Sequence, residues 1–441
     1  MLQAFRNIFR IPELRKKLLI TAAFLVLYRV GSFIPIPGLD TEKLDELTRG
    51  PQGGLGDLMN MVSMLTGGAL AQCTLFALGI MPYISASIIF SLLTKVIPAL
   101  DALAKEGDTG RQKINQYTRY STILLCLVQS IFIIMYIRNR GLVLEPGPWF
   151  WFSTVLTLTT GTVFLMWIGE QITEFGIGNG ISLIIMGGIV ADLPGALWNY
   201  SLTVKSAAEA GENVPLQLMK FLVFAALFIG VVVAVVIMQQ GQRRIPIQQQ
   251  KHTRGRKVFG GQRHYLPLRI NAAGVMPVIF AESLIVIPTA VIGQFWPGFG
   301  DYFSRGDSFW YLSVYIAMVI FFTFFWVSLT FNPVEMAGQM KERGSFIPGI
   351  RPGKRTADYL EGIMNRVTFV GAIFLAIIGI FPTVVSQALS IDLLLAQFLG
   401  GTGILIVVGV ALDVVQKIES HLLMRHYEGF MRTGRIRGRR G

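Results

Sequence analysis

Charge is scarce in this chain. Only 15% of its 441 residues are Asp, Glu, Lys or Arg, while 52% are hydrophobic. A soluble domain carries roughly a quarter charged residues, so an ordinary water-soluble fold is excluded. Acid is the scarcer sign, with 26 Asp and Glu against 39 Lys and Arg, giving a formal net charge of +13. Cysteine is nearly absent. Of the two present, Cys73 and Cys126, the second lies in an apolar run, so no disulfide framework is indicated. The four histidines (His252, His264, His421, His426) sit in polar segments without metal-ligand spacing. Phosphate-loop, His-Glu-x-x-His and Gly-x-Ser-x-Gly signatures are missing. The chain therefore reads as a non-enzyme, with no catalytic residue, no metal and no cofactor.

Long apolar runs are what the sequence has in abundance. About 20 apolar residues cross the hydrocarbon core of a bilayer. Ten such segments lie near 18–36, 74–97, 117–137, 149–169, 178–197, 216–239, 271–292, 310–331, 366–387 and 398–417. Basic residues collect in every second gap. They include Arg15, Lys16 and Lys17 before the first span, Arg111, Lys113 and Arg119 between the second and third, and Arg243, Arg244, Arg254, Arg256, Lys257 and Arg269 between the sixth and seventh. Lys341, Arg343, Arg351, Lys354 and Arg355 follow the eighth, and Arg435, Arg437, Arg439 and Arg440 follow the last. The alternate gaps carry acid instead, such as Asp40, Glu46, Asp57, Glu212, Asp301 and Asp392. Lys and Arg are retained on the cytoplasmic side, so both termini are expected there. Trp149, Trp151, Trp296 and Trp310 fall near outer span ends, as an aromatic belt requires. No small-residue cleavage site follows Arg15-Lys16-Lys17, and no cleavable signal is expected.

The expected organisation is an all-α membrane protein in two five-helix halves. A segment 1–17 precedes a first half over 18–197, a polar external hinge loop covers 198–215, a second half covers 216–417, and a basic tail covers 418–441. An odd number of spans per half would invert the second copy relative to the first. The link Gly176 to Gly180 superficially resembles a dinucleotide loop, but no strand precedes it.

Three features exceed an ordinary bundle. Gly53, Gly54, Gly67 and Gly68 bracket a short apolar segment from Leu55 to Leu65. It reads either as an interfacial helix or as a mobile helix folded back into the protein on glycine hinges. The basic segments 240–270 and 333–357 are too long for plain connectors. They read either as charge against anionic lipid or as docking loops for a large partner exposing RNA phosphate or acidic protein surface. Glu282 lies well inside the seventh span. It is a functional carboxylate or a hydrogen-bonded structural one.

Five motifs stand in a telling order: RVGSFIPIPG at 29–38, ALGIMPYISAS at 77–87, QYTRY at 116–120, GEQIT at 169–173 with GIGNGIS at 176–182, and GIRPG at 349–353. Together they resemble the SecY family, the central subunits of the bacterial protein-conducting channel, from about residue 12 to about residue 430. The resemblance implies ten helices closing like a clamshell around an hourglass pore. It implies a sealing ring of Ile80, Ile84, Ile181, Ile185, Ile279 and Ile406. Same-helix members spaced four apart share a face, and branched apolar side chains gate by excluding water without gripping a polar chain. The family's plug falls at about 55–70, with Leu58, Met59, Met61, Val62, Met64 and Leu65. Ser87, Gln129 and Asn271 match a lateral gate that releases transmembrane segments into lipid. Arg243, Arg244, Arg254, Arg256, Lys257 and Arg351 match the contacts to the SecA ATPase or the ribosome and its rRNA. The implied partners are SecE and SecG in a heterotrimer, signal peptides, nascent chains and membrane lipids, in the bacterial cytoplasmic (inner) membrane. Two positions depart from the family pattern: Glu282, three residues after Ile279, and Ser91, where some members carry a larger polar residue. The rival readings are a proton-coupled transporter built on Glu282 and a poreless scaffold.

Overall fold

A computed structural model describes residues 11–40, 43, 69, 72–139, 141–145, 147–209, 214–249, 252–254, 257–259, 263–281, 284, 308–389 and 401–433. The chain divides into two compact units, Met1–Ala196 with Ile406–Gly441, and Leu197–Leu405.

In the first unit proline opens helix after helix. Helices α1 (Pro12–Gly31), α2 (Met81–Val96), α3 (Pro98–Lys105) and α5 (Pro148–Phe175) all carry it in their first turn, and α4 (Asp108–Asn139) lies between α3 and α5. Proline has no amide hydrogen to leave unpaired there. Pro98 also forces Ile97 into extended backbone, since the residue before proline avoids the helical region, and α2 and α3 meet at 100°. Helix α6 (Gly180–Glu209) starts in this unit and crosses the division.

The described backbone of 32–40 and 72–80, between α1 and α2, is irregular yet paired. Ile36 donates to the Cys73 carbonyl at 3.1 Å, Leu75 to Ile34 at 2.8 Å, and Asp40 to Leu142 at 2.9 Å. These pairings satisfy groups that hydrocarbon would leave orphaned. Around them Ile36, Leu39, Cys73, Ala77, Leu78, Cys126, Ile134, Phe150 and Leu158 form one apolar cluster. Both cysteines are buried and free. Helix α5 passes so close that a Cβ on Gly161 would sit 2.1 Å from the Leu75 carbonyl oxygen.

The second unit holds α7 (Val214–Gln240), strands β1 (Gln242–Gln249), β2 (His252–Arg254), β3 (Lys257–Phe259) and β4 (Arg263–Arg269), helical residues 276–281, α8 (Phe309–Thr330), α9 (Pro333–Glu342), β5 (Ser345–Phe346) and α10 (Lys354–Leu389). Strand β1 pairs antiparallel with β4 from Gln242↔Arg269 to Gln248↔Arg263, and with β5 through Gln248↔Phe346 and Gln249↔Ser345. Strands β2 and β3 pair separately. The last helix, α11 (Gly401–Thr433), belongs to the first unit from Ile406 onward.

Several expected boundaries move. The polar stretch 198–215, read as a loop, is helical through Glu209 in α6. The second span starts at Met81 rather than 74, because 72–80 form turns and an isolated bridge. The tail expected from 418 is helical to Thr433. Helix α11, expected in the second half, groups with the first unit because Val414 and Ile418 pack on Leu14 and Ile177. The described residues of 240–270 and 333–357 are largely strand, helix and turn rather than loop. Hydropathy marks where lipid lies, whereas a helix continues until its hydrogen bonds or a cap end it. Among the described residues five helices are long and apolar enough to cross a membrane, or six with the bent α2–α3 pair as one span. Helix α1 carries Glu13, Arg15, Lys16, Lys17 and Arg29, and most of the seventh expected span lies outside the described residues.

The close approach at Gly161 sets an expectation. Gly161→Ala drives a methyl into backbone and is expected to cost about 1–3 kcal/mol. Gly230, whose Cβ would meet nothing within 4 Å, is the control, with Gly230→Ala expected to stay within about 0.5 kcal/mol. Thermal denaturation of the purified protein in detergent reads both.

Candidate functional site

Ile80 is the N-cap residue of α2 and is buried. Its carbonyl accepts the Ile84 amide at 3.1 Å, which stacks the two side chains on successive turns of one face. Ile84 is half-buried. Ile181 and Ile185 occupy the first two turns of α6 and are also half-buried, while Leu183, Ile184 and Ile189 of that helix are buried. Ile181 and Ile185, four residues apart, share one face of α6, on which both are half-buried. Ile406 is buried on α11. These five positions share the first unit, and Ile279 lies in the helical residues 276–281 of the second.

Ser87 on α2 and Gln129 on α4 are half-buried in the first unit. The Ser87 carbonyl accepts the Ser91 hydroxyl at 2.8 Å. Asn271, in the second unit, has a buried Oδ1 with no hydrogen-bond partner among the described residues. Gly371 of α10 runs against it so closely that a Cβ there would lie 2.8 Å from the Ile270 carbonyl oxygen. The expected plug residues Leu58, Met59, Met61, Val62, Met64 and Leu65 lie outside the described residues, as does Glu282. Ala69, near the end of the expected plug segment 55–70, is buried, and its carbonyl accepts the Thr74 amide at 3.0 Å and hydroxyl at 3.3 Å.

The basic segments build a scaffold rather than a tether. Ile245 and Leu268 from β1 and β4 bury themselves with Ala273, Val327, Ile347, Leu360 and Met364. Arg243 and Arg244 stay exposed on the same strand. Arg351 is exposed in a turn with left-handed glycines on either side, Gly349 at φ +82° and Gly353 at φ +108°. The Thr356 hydroxyl donates to the Arg351 carbonyl at 3.0 Å and closes that turn onto α10. Arg254 and Lys257 belong to β2 and β3, and Arg256 lies outside the described residues.

Other polar contacts were not anticipated from the sequence. Arg119 on α4 meets Glu170 on α5 at 2.7 Å, and Arg29 on α1 meets Asp192 on α6 at 3.9 Å. Each pair is far apart in the chain, so no local spacing signals it. Among the described residues no group of His, Cys, Asp or Glu is arranged to hold a metal ion.

A solved protein-conducting channel matches this architecture with a TM-score of 0.60 at 20% identity, covering 93% of each chain. Sec61 in the canine ribosome–channel complex matches with a TM-score of 0.58 at 18% identity, again over 93% of each. The fold is thus the one these channel structures share, all-α in the membrane, and the ten-helix layout in two five-helix halves expected from the sequence fits it. The SecY family profile covers residues 74–415. The protein translocase subunit SecY of Streptomyces galbus is 44% identical over 450 residues, spanning 98% of this chain and all of its own. That of Escherichia coli strain K12 is 42% identical over 438 residues, spanning 97% and 96%. The Thermotoga maritima subunit is 39% identical over 446 residues, spanning all of both. The chain belongs to the SecY family and is a multi-pass, pore-forming subunit of a protein translocase.

The Arg119–Glu170 pair is partly exposed, and such pairs are worth about 0.2–1 kcal/mol. Glu170→Gln is expected to lose no more than that, and the charge-reversed double variant Arg119→Glu with Glu170→Arg to recover most of it. A double-mutant cycle on thermal stability measures the coupling.

Proposed function

We propose that this chain passes unfolded polypeptides through a waist lined by Ile80, Ile84, Ile181, Ile185, Ile279 and Ile406. The observation that carries the reading is the spacing of the isoleucines of α2 and α6 in pairs four residues apart, which puts each pair on one face of its helix, with Ile80 buried and Ile84, Ile181 and Ile185 half-buried. Branched apolar side chains exclude water when the chain is absent and bind no passing segment tightly. The segment 55–70 acts as the plug. Ser87, Gln129 and Asn271 hold a lateral gate, and the Oδ1 of Asn271, without a partner among the described residues, is an acceptor available for that role.

The driving force comes from SecA or the ribosome, docked on Arg243, Arg244, Arg254, Arg256, Lys257 and Arg351. The exposure of Arg243, Arg244 and Arg351 on a buried apolar base supports this. So does the identity of two structural neighbours, Sec61 in the canine ribosome–channel complex and the yeast Ssh1 complex bound to the yeast 80S ribosome. Guanidinium groups displaying five donors suit phosphate and carboxylate alike. The chain works in a heterotrimer with SecE and SecG. It sits in the bacterial cytoplasmic membrane with both termini inside, because basic residues fill every second gap. ATP hydrolysis belongs to the docked motor rather than to this subunit.

Single cysteines at Ile84, Ile185 and Ile279, in a chain with Cys73 and Cys126 replaced, test the path. A secretory chain with one cysteine, stalled in transit, is expected to cross-link at all three and not at a lipid-facing control. Active translocation without those cross-links means a different waist. Independently, Arg351→Glu is expected to weaken SecA or ribosome binding at least about tenfold, since it replaces attraction by repulsion. It is also expected to lower the salt dependence of binding. A salt titration of binding to proteoliposomes reads both.

A further inference from the structure

The link between α5 and α6 is gripped by two threonine hydroxyls. Thr21 on α1 donates to the Lys17 carbonyl at 2.9 Å and accepts the Ile177 amide at 3.2 Å. Thr173 on α5 does the same, donating to the Gly169 carbonyl at 2.8 Å and accepting the Gly180 amide at 2.9 Å. Asn179 Oδ1 then accepts the Ile181 amide at 3.1 Å and the Ser182 amide at 3.3 Å. The first amides of a helix have no partner within it, and here side chains supply acceptors for those of Gly180, Ile181 and Ser182.

Steric contacts make the same link rigid. A Cβ on Gly180 would fall 2.0 Å from the Gly169 carbonyl oxygen, and one on Gly176 would fall 2.5 Å from the Thr21 hydroxyl. Gly178 takes φ +95°, a conformation that side chains rarely adopt. Ile177 is buried with Leu14, and Val414 and Ile418 of α11 pack against them. The Ile181 side chain lies against α5 at Gly169, where a Cβ would come within 3.0 Å of Ile181 Cγ1. The first residue of α6 is thus bolted to α5, and Ile181 is the second.

We propose that Thr21 and Thr173 are positioning residues for the pore: they fix where α6 begins and hence the rotation at which Ile181 and Ile185 face the waist. The proposal rests on the ring assignment given above. It follows from helix geometry. A slip of one residue turns a helical side chain by about 100°, enough to carry an isoleucine off the seal. Release of the clamp therefore loosens two ring members while leaving the docking arginines, which belong to the other unit, as they were.

The test uses the full chain purified with its associated subunits and reconstituted into proteoliposomes. Thr21→Val and Thr173→Val keep side-chain volume and remove both hydrogen bonds, whereas Thr173→Ser keeps them. Because Thr173 is exposed, the single Thr173→Val variant serves if the double variant does not fold. Two quantities are read: the resting small-ion leak, and cross-linking of a stalled chain to Ile181→Cys and Ile185→Cys in the cysteine-replaced background. The valine variants are expected to raise the leak about fivefold, the factor one lost net hydrogen bond supplies, and to change the ratio of the two cross-links. Thr173→Ser is expected to match the parent in both. A valine variant with parental leak and cross-link ratio overturns the proposal. If the parent itself translocates without cross-linking at either isoleucine, the ring assignment falls, and the positioning role falls with it.

Discussion

Hydrocarbon offers a backbone no hydrogen-bonding partner, so every peptide group held in it must find one inside the protein. Helices meet that demand alone. The instructive parts of this chain are those that leave the helix and still meet it. Residues 34–40 pair with 73–75 and 142–144 through backbone bonds. Prolines inside α6 and α10, Pro194 and Pro382, each forfeit one helical bond, a loss that membrane helices tolerate when neighbours compensate. The link between α5 and α6 borrows hydroxyls from Thr21 and Thr173. Irregular backbone is where a channel can shape a path, and here it is tolerated because side chains and neighbouring strands complete the accounting.

Glycine provides the second half of that economy. Without a hydrophobic force between helices in lipid, small residues let backbones approach. Gly161 lies over the Leu75 carbonyl, Gly180 over the Gly169 carbonyl, and Gly371 over the Ile270 carbonyl. In the first two cases the contact fixes the segment that leads into an isoleucine, Ile80 after the turns near Leu75, and Ile181 after Gly180. In the third it fixes Asn271. Close packing of this sort is stiff, so the segments built on it hold their shape.

Outside the membrane region the logic reverses. The basic segments expose Arg243, Arg244 and Arg351 from a base that buries Ile245, Leu268 and Ile347. Water solvates the charges, and the apolar side of the strands holds the whole hairpin on α8 and α10. A rigid display loses less entropy on docking than a tether does, which suits a surface that must meet a large partner repeatedly.

Much of this was legible in the chain. The ten apolar runs and the alternation of basic gaps were plain, because lipid solvation acts residue by residue, whereas the isoleucine positions were singled out only by the family resemblance. The β1–β4 hairpin was not. Pro246 and Pro267 sit in paired strands, and proline ordinarily argues against a strand; hydrophobic alternation there is broken by arginines that face water. The ends of α6 and α11 were missed because polar residues continue a helix past the bilayer without leaving an apolar signature. The sequence alone determined that this is a multi-span membrane protein with basic faces on one side, since transfer free energy is a property of composition. Tertiary structure alone decided that α11 packs with α1 and the α5–α6 link, that Arg119 meets Glu170, and that two threonines hold the start of α6. The Thr21–Ile177 bond alone joins residues 156 positions apart, and no local rule couples side chains across such a distance until the backbone has brought them together.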